Sequence, residues 1–204
     1  MSAKRTPTWL ELQDSRAFPV ATVAVLAITI TVTLVQIVVP ELRLHLWRDQ
    51  GALRSGEFWR LVTPLLIQYD PWQDAAIVLG LIAFIGTAVE RVYGAGRLLG
   101  IYITCGTVGQ ACGYLWEPPD AGASVAGAGL LGALAAWLLS PRSDAPVPPR
   151  VTAVLAVLGA IVLTVRQDMH GPPLLVGCAL GTLLQIRGTP ANTRSRARNR
   201  PQER

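Results

Sequence analysis

Two side chains in this 204-residue chain, Ser124 and His170, have the types and surroundings for nucleophilic chemistry. A serine hydroxyl attacks a carbonyl at neutral pH only when a neighbouring base takes its proton, and imidazole is the usual base. Ser124 lies in Gly122-Ala-Ser-Val-Ala-Gly-Ala-Gly-Leu-Leu-Gly-Ala133, a run of small residues that opens an apolar block, and His170 stands just before another. His170, Gly177 and Gly181 are spaced by seven and four. They therefore share one helical face if the helix extends back that far. Docked against the small residues after Ser124, that face would bring imidazole to hydroxyl. A plainer reading stays open here. Small residues three and four apart let membrane helices pack closely, serine is an ordinary member of such runs, and a histidine at a membrane edge often serves only as an interfacial hydrogen-bonder.

The elements that must position this pair are set by composition. Half of the chain is hydrophobic (51%), only 15% is charged, and the apolar residues fall in long blocks. A bilayer core of about 30 Å needs about 20 apolar residues per helix, or fewer where the membrane thins. The pattern predicts an all-α polytopic membrane protein with spans near 17–39, 72–89, 97–116, 122–139, 151–165 and 172–186. The first apolar run is too long for a signal peptide and no small-residue cleavage site follows it, so it reads as a retained span. Residues 1–16 form a polar N-terminal segment, 17–186 the membrane domain, and 187–204 an arginine-rich tail read as disordered. Glu41 to Tyr69 mixes aromatic and charged residues, as expected of a connection lying in the interface plane. Pro141 to Arg150, with four prolines, reads as a loop.

Six spans put both termini on one side, and the six tail arginines identify that side as the cytoplasm, as expected of a plasma (inner) membrane location. The arginines at 91, 97, 142 and 150 then also face inward. The first loop carries four arginines on the outer side, against the positive-inside rule. In this topology Ser124, in the first turn of the fourth span, and His170, just before the sixth, lie at the same outer end. The net charge of +5 is explained by topology signals and contact with the lipid bilayer. Nucleic-acid binding is not indicated, because no aromatics interleave with the tail arginines. Cys105, Cys112 and Cys178 all fall in apolar segments as packing residues, and two histidines without Cys/His ligand spacing predict no metal and no cofactor.

Read along the six spans, these residues resemble the rhomboid family of intramembrane serine proteases. Gly56-Glu57-Phe58-Trp59-Arg60-Leu61-Val62-Thr63-Pro64 is similar to the family's Trp-Arg element in the first loop. Trp72, Gly86, Glu90 and Gly94 keep the family's spacing through the second span. Gly122-Ala-Ser124 matches the start of its Gly-x-Ser-Gly motif, with Gly129 and Gly132 in register, and His170 with Gly177 resembles its sixth-helix element. The resemblance implies a Ser124–His170 dyad, a substrate that is a transmembrane or membrane-edge segment, and scission through an acyl-enzyme. It implies structural roles for Trp59, Arg60, Gly86 and Glu90, the last as a cytoplasmic-side anchor.

The chain departs from the family pattern mainly where the oxyanion should be held. The family's second-helix His falls on Asp74, its Asn on Val78 and a nearby His on Tyr69. Loss of one such donor costs about 3 kcal/mol, and an ionised Asp74 would repel the developing charge. The Ser124 backbone N–H, with Tyr69 or Gln68, is left to hold the oxyanion. Val125 replaces the motif's second glycine, and Pro173 a glycine one turn after His170; prolines at 172 and 173 suit a first helical turn, placing His170 at its cap. Two functions follow: an intramembrane serine endopeptidase, or a proteolytically silent relative that binds transmembrane clients. A transporter is disfavoured, since no ionisable residue falls mid-span.

Overall fold

The computed structural model describes residues 7–15, 17–68, 73–116 and 120–187, with backbone only at 73, 74 and 187. Within them the fold is all-α. A short helix α1 (Trp9–Asp14) precedes α2 (Val20–Val38). The first loop holds α3 (Glu41–Leu46), α4 (Gln50–Arg54) and two 3-10 turns at Phe58–Leu61 and Thr63–Leu66. Then come α5 (Gln73–Tyr93), α6 (Ala95–Trp116), α7 (Ser124–Leu139), α8 (Val147–Val165) and α9 (Gly171–Arg187). α2, α5, α6 and α8 are long and apolar enough to cross a membrane, and α7 and α9 are shorter apolar helices.

The central element is α7, which packs against α5, α6, α8 and α9. Its composition explains the position. Val125, Ala126, Leu130, Ala133, Ala135 and Trp137 are wholly buried, so most of the helix circumference is enclosed by its neighbours. Its small residues admit neighbours to backbone distance. A Cβ on Gly132 would strike the Leu174 carbonyl, and one on Gly177 would strike that of Gly129. This close α7–α9 seam fixes the relative height of the two helices, and with it the height of Ser124 against His170.

Glu90 anchors the start of α2. Pro19 at the N-cap offers no side-chain acceptor, and the first-turn N–H groups of a helix lack intrahelical partners. Glu90 supplies what is missing, accepting from the N–H of Ala21 (2.9 Å), the N–H of Thr22 (2.7 Å) and the Thr22 hydroxyl (2.7 Å). Its negative charge also suits the positive end of the helix dipole. Gly86, one turn earlier, lies against the Thr22 methyl, which leaves little room for a Cβ.

The polar N-terminal segment includes α1, closed by a Thr8–Glu11 capping box, with Trp9 stacked on Trp137 at 6.3 Å. Two expectations need correction. The proline-rich 141–150 segment is not all loop. α8 begins at Val147 with prolines in its first turn, where a missing N–H costs no hydrogen bond. The first loop is also less superficial than its charges suggest. Arg48 and Arg60 are buried, and Arg60 donates to the Leu44 and Trp47 carbonyls (3.0 Å each) and pairs with Glu57 (2.7 Å). Arg60 thus binds the loop together, while Trp59 next to it stays half-exposed.

Candidate active site

Ser124 is the first residue of α7, and Ala123 before it makes no side-chain cap. The Ser124 hydroxyl is therefore not engaged in capping and is directed to His170, whose Nε2 lies 2.9 Å from Oγ. The opposite ring nitrogen, Nδ1, lies 2.8 Å from Asp168 Oδ1. The same carboxylate oxygen accepts the His170 backbone N–H at 2.8 Å. This is the local loop closure that Asp favours, bonding the backbone two residues on.

Burial raises the Asp168 pKa, but the bonds from the His170 backbone and ring, with the charges of His170 and Arg166, outweigh it and hold the carboxyl below its ordinary value of 3.8. An ionised Asp168 accepts a hydrogen bond from Nδ1–H, which fixes the tautomer and leaves Nε2 as the acceptor for the serine hydroxyl. His170 immediately precedes α9, as the prolines at 172 and 173 require, yet it is held at both backbone and ring. Asp168 is the site residue that the sequence reading missed. Its signal was present as an Asp two residues before a histidine at a helix start.

The short loop before Ser124 is held through its backbone. Gly122 N–H donates to the Pro64 carbonyl (2.9 Å), Arg48 N–H to the Asp120 carbonyl (2.9 Å), and Gln110 Nε2 to the Gly122 carbonyl (3.3 Å). Arg48, 1% exposed, ties this loop to the histidine side. Its guanidinium donates to Gln110 Oε1 (3.1 Å) and contacts Met169 Sδ (3.0 Å). A Cβ on Gly113 would occupy the guanidinium's place, so α6 leaves a slot for it. Irregular backbone among membrane helices persists only where its polar groups are satisfied in this way.

Val125, the departure beside the nucleophile, does not enter the site. Its side chain is fully buried and fills the space that a Cβ on Gly109 of α6 would need, the Val125 Cβ lying 2.5 Å from that point. The larger residue on α7 is matched by a glycine on its neighbour. Val78 lies in the apolar core and has no group to donate. Tyr69 and the side chain of Asp74 lie outside the described residues, as do Trp72 and the 188–204 tail.

Of the remaining motif residues, Gly129 sits where a Cβ would meet Cys105, and Gly181 touches the Ala133 backbone and the Tyr93 hydroxyl. Tyr93 donates to the Ala133 carbonyl at 2.9 Å. These residues, with Gly132 and Gly177, close the bundle beneath the site. The arrangement provides a hydroxyl, a tautomerically fixed base and a helix N-terminus. The first backbone bond of α7 is donated by Gly127 to Ala123, so the N–H groups of residues 124–126 lack intrahelical acceptors. That set can support acyl transfer.

Comparison with known proteins identifies the family of the chain. Residues 55–186 match the rhomboid domain model. The chain is 42% identical over 96 residues to rhomboid protease GluP of Bacillus subtilis, a match covering 47% of this chain and 19% of that protein. It is 35% identical over 95 residues to YdcA of the same organism, whose own assignment as a rhomboid protease is provisional, covering 43% of this chain and 47% of that one. The matches thus span less than half the length of either relative. With the domain match extending across the Trp-Arg loop, the Ser124 helix and the His170 helix, the chain belongs to the rhomboid family of integral membrane proteins.

Proposed function

We propose that the protein is an intramembrane serine endopeptidase with Ser124 as nucleophile and His170 as general base, acting on transmembrane or membrane-edge segments that unwind at small or helix-breaking residues. The observation that carries this reading is the 2.9 Å contact between His170 Nε2 and Ser124 Oγ, backed by Asp168 on the other ring nitrogen. An unwound substrate is required because a peptide in a helix has its carbonyls hydrogen-bonded and turned from attack.

In the first step the Ser124 Oγ–H proton passes to Nε2 as Oγ bonds the scissile carbonyl carbon, whose π electrons move to oxygen. Collapse of this intermediate breaks the C–N bond, and His170 returns the proton to the leaving amine. Water then attacks the acyl carbonyl with His170 again taking a proton, and collapse of this second intermediate breaks the acyl C–Oγ bond as His170 returns the proton to Ser124 Oγ. The products are a carboxylate, a free amine terminus and restored Ser124. Asp168 acts as a positioning residue, holding the ring and compensating the imidazolium that forms. The site opens to the outer face of a plasma membrane, with both termini in the cytoplasm.

The test is cleavage of a single-span substrate carrying a small-residue stretch, in proteoliposomes, by wild type and Ser124→Ala. Fragments from wild type alone support the reading. Equal absence of fragments from both, with folding intact, leaves a family member that binds transmembrane clients without cutting them.

A further inference from the structure

An oxyanion formed at Ser124 needs more than one donor, and the second span does not give one at Val78, which is enclosed by apolar side chains. The first loop does. Gln68 is 1% exposed, and its side-chain Nε2 is buried with no hydrogen-bond partner among the described residues. Native structures rarely keep a buried donor unused, and one that persists calls for an explanation.

The backbone of Gln68 is fixed from both sides by one side chain of α2. Gln36 Nε2 donates to the Gln68 carbonyl (2.6 Å), and Gln36 Oε1 accepts the Gln68 N–H (3.2 Å). These two bonds fix where the Gln68 side chain starts. That side chain is next to the nucleophile. A Cβ built on Gly122 would have Ser124 Oγ at 3.5 Å and Gln68 Oε1 at 3.6 Å, so hydroxyl and carboxamide flank the same bare glycine Cα. The terminal torsion of glutamine is broad and roughly two-fold, so its amide N–H₂ and oxygen exchange places at little cost.

We infer that the Gln68 carboxamide is the side-chain donor of the oxyanion site, acting with the Ser124 backbone N–H in place of the second-helix donors. This rests on the endopeptidase reading above. The absence of a side chain at Gly122 keeps the space between carboxamide and hydroxyl clear for the substrate carbonyl. Gln36, which touches only the backbone of Gln68, is a positioning residue.

The experiment compares full-length wild type, Gln68→Met and Ser124→Ala in proteoliposomes, measuring kcat, KM and melting temperature. Methionine keeps the length of the side chain and removes the donor. The expected result is a fall in kcat of about 100- to 1000-fold with KM within about threefold, and a melting temperature no lower than wild type, since the deleted amide N–H₂ has no partner among the described residues. Should Gln68→Met fail to fold, Gln68→Asn withdraws the amide by one methylene and is expected to lose at least about tenfold in kcat. If wild type cleaves and Gln68→Met (or Gln68→Asn in its place) keeps kcat within threefold, the Gln68 assignment is overturned and the endopeptidase reading stands. A loss of activity that follows a lowered melting temperature assigns Gln68 a structural role and also overturns it. Wild type that does not cleave overturns both.

Discussion

Replacing Asp168 separates a histidine that is merely near Ser124 from one held ready to act. Oδ1 accepts two bonds of 2.8 Å, one from the His170 backbone and one from its ring. A hydrogen bond to a charged acceptor contributes about 1.5–3 kcal/mol. The Asp168 and His170 side chains are 38% and 35% exposed, so water competes and the lower end applies. At about 1.4 kcal/mol per tenfold, Asp168→Ala should lower kcat by at least about tenfold while leaving KM within about threefold. Asp168→Asn should be no better, because its amide can offer N–H to Nδ1 and select the wrong tautomer. The assay is steady-state cleavage of a single-span substrate in proteoliposomes. Stability gives a second readout. The folded-state pKa of Asp168 is depressed, so its contribution is complete above the ordinary value of 3.8 and is lost as pH falls below it. The melting-temperature gap between wild type and Asp168→Asn should therefore be present at neutral pH and close as the pH falls through the depressed folded-state pKa, below 3.8. An Asp168→Ala variant with kcat within twofold of wild type would refute the assignment of the carboxylate as an orienting group.

Other substitutions test the frame around the site. Glu90→Ala leaves two buried N–H groups at the start of α2 without acceptors and should cost about 2–4 kcal/mol, read as a lower denaturation midpoint in mixed micelles. Gly177→Val drives a side chain into the Gly129 backbone; it should destabilise by more than about 3 kcal/mol or prevent folding, and a variant of unchanged stability would mean the α7–α9 seam is wrong. Val125→Ala should cost about 1–2 kcal/mol in stability with kcat nearly unchanged, because Val125 faces Gly109 and not the hydroxyl.

Much of this architecture is legible in the chain because membrane helices reveal themselves by length and apolarity. The Gly-rich runs at 122–133 and 177–181 mark a seam, since only small residues allow backbones so close. The Ser124–His170 juxtaposition was readable from topology alone, which puts a helix start and a helix cap at one end of the bundle. What escaped depends on contacts that have no periodicity. Arg48 reads as a loop charge until Gly113 is seen to open a slot for it. Val125 reads as an intrusion on the nucleophile until Gly109 is found opposite, a compensation divided between two helices. Glu90 reads as an anchor, but its partners, the Ala21 and Thr22 N–H groups, are not legible in the chain, because a helix end with a proline cap exerts no signal in its own sequence. Asp168 was overlooked because an Asx-type loop closure looks like any polar turn until the ring it supports is in place.

The central claim is that the Ser124 hydroxyl is an activated nucleophile, and covalent trapping tests it most directly. Full-length protein in detergent is treated with a fluorophosphonate, digested and mapped by mass spectrometry. The account predicts a single phosphonyl adduct on Ser124, lost in Ser124→Ala and strongly slowed in His170→Ala, with both variants folded. Folded wild type that gains no adduct above the Ser124→Ala background, or that carries it on another residue, would contradict it.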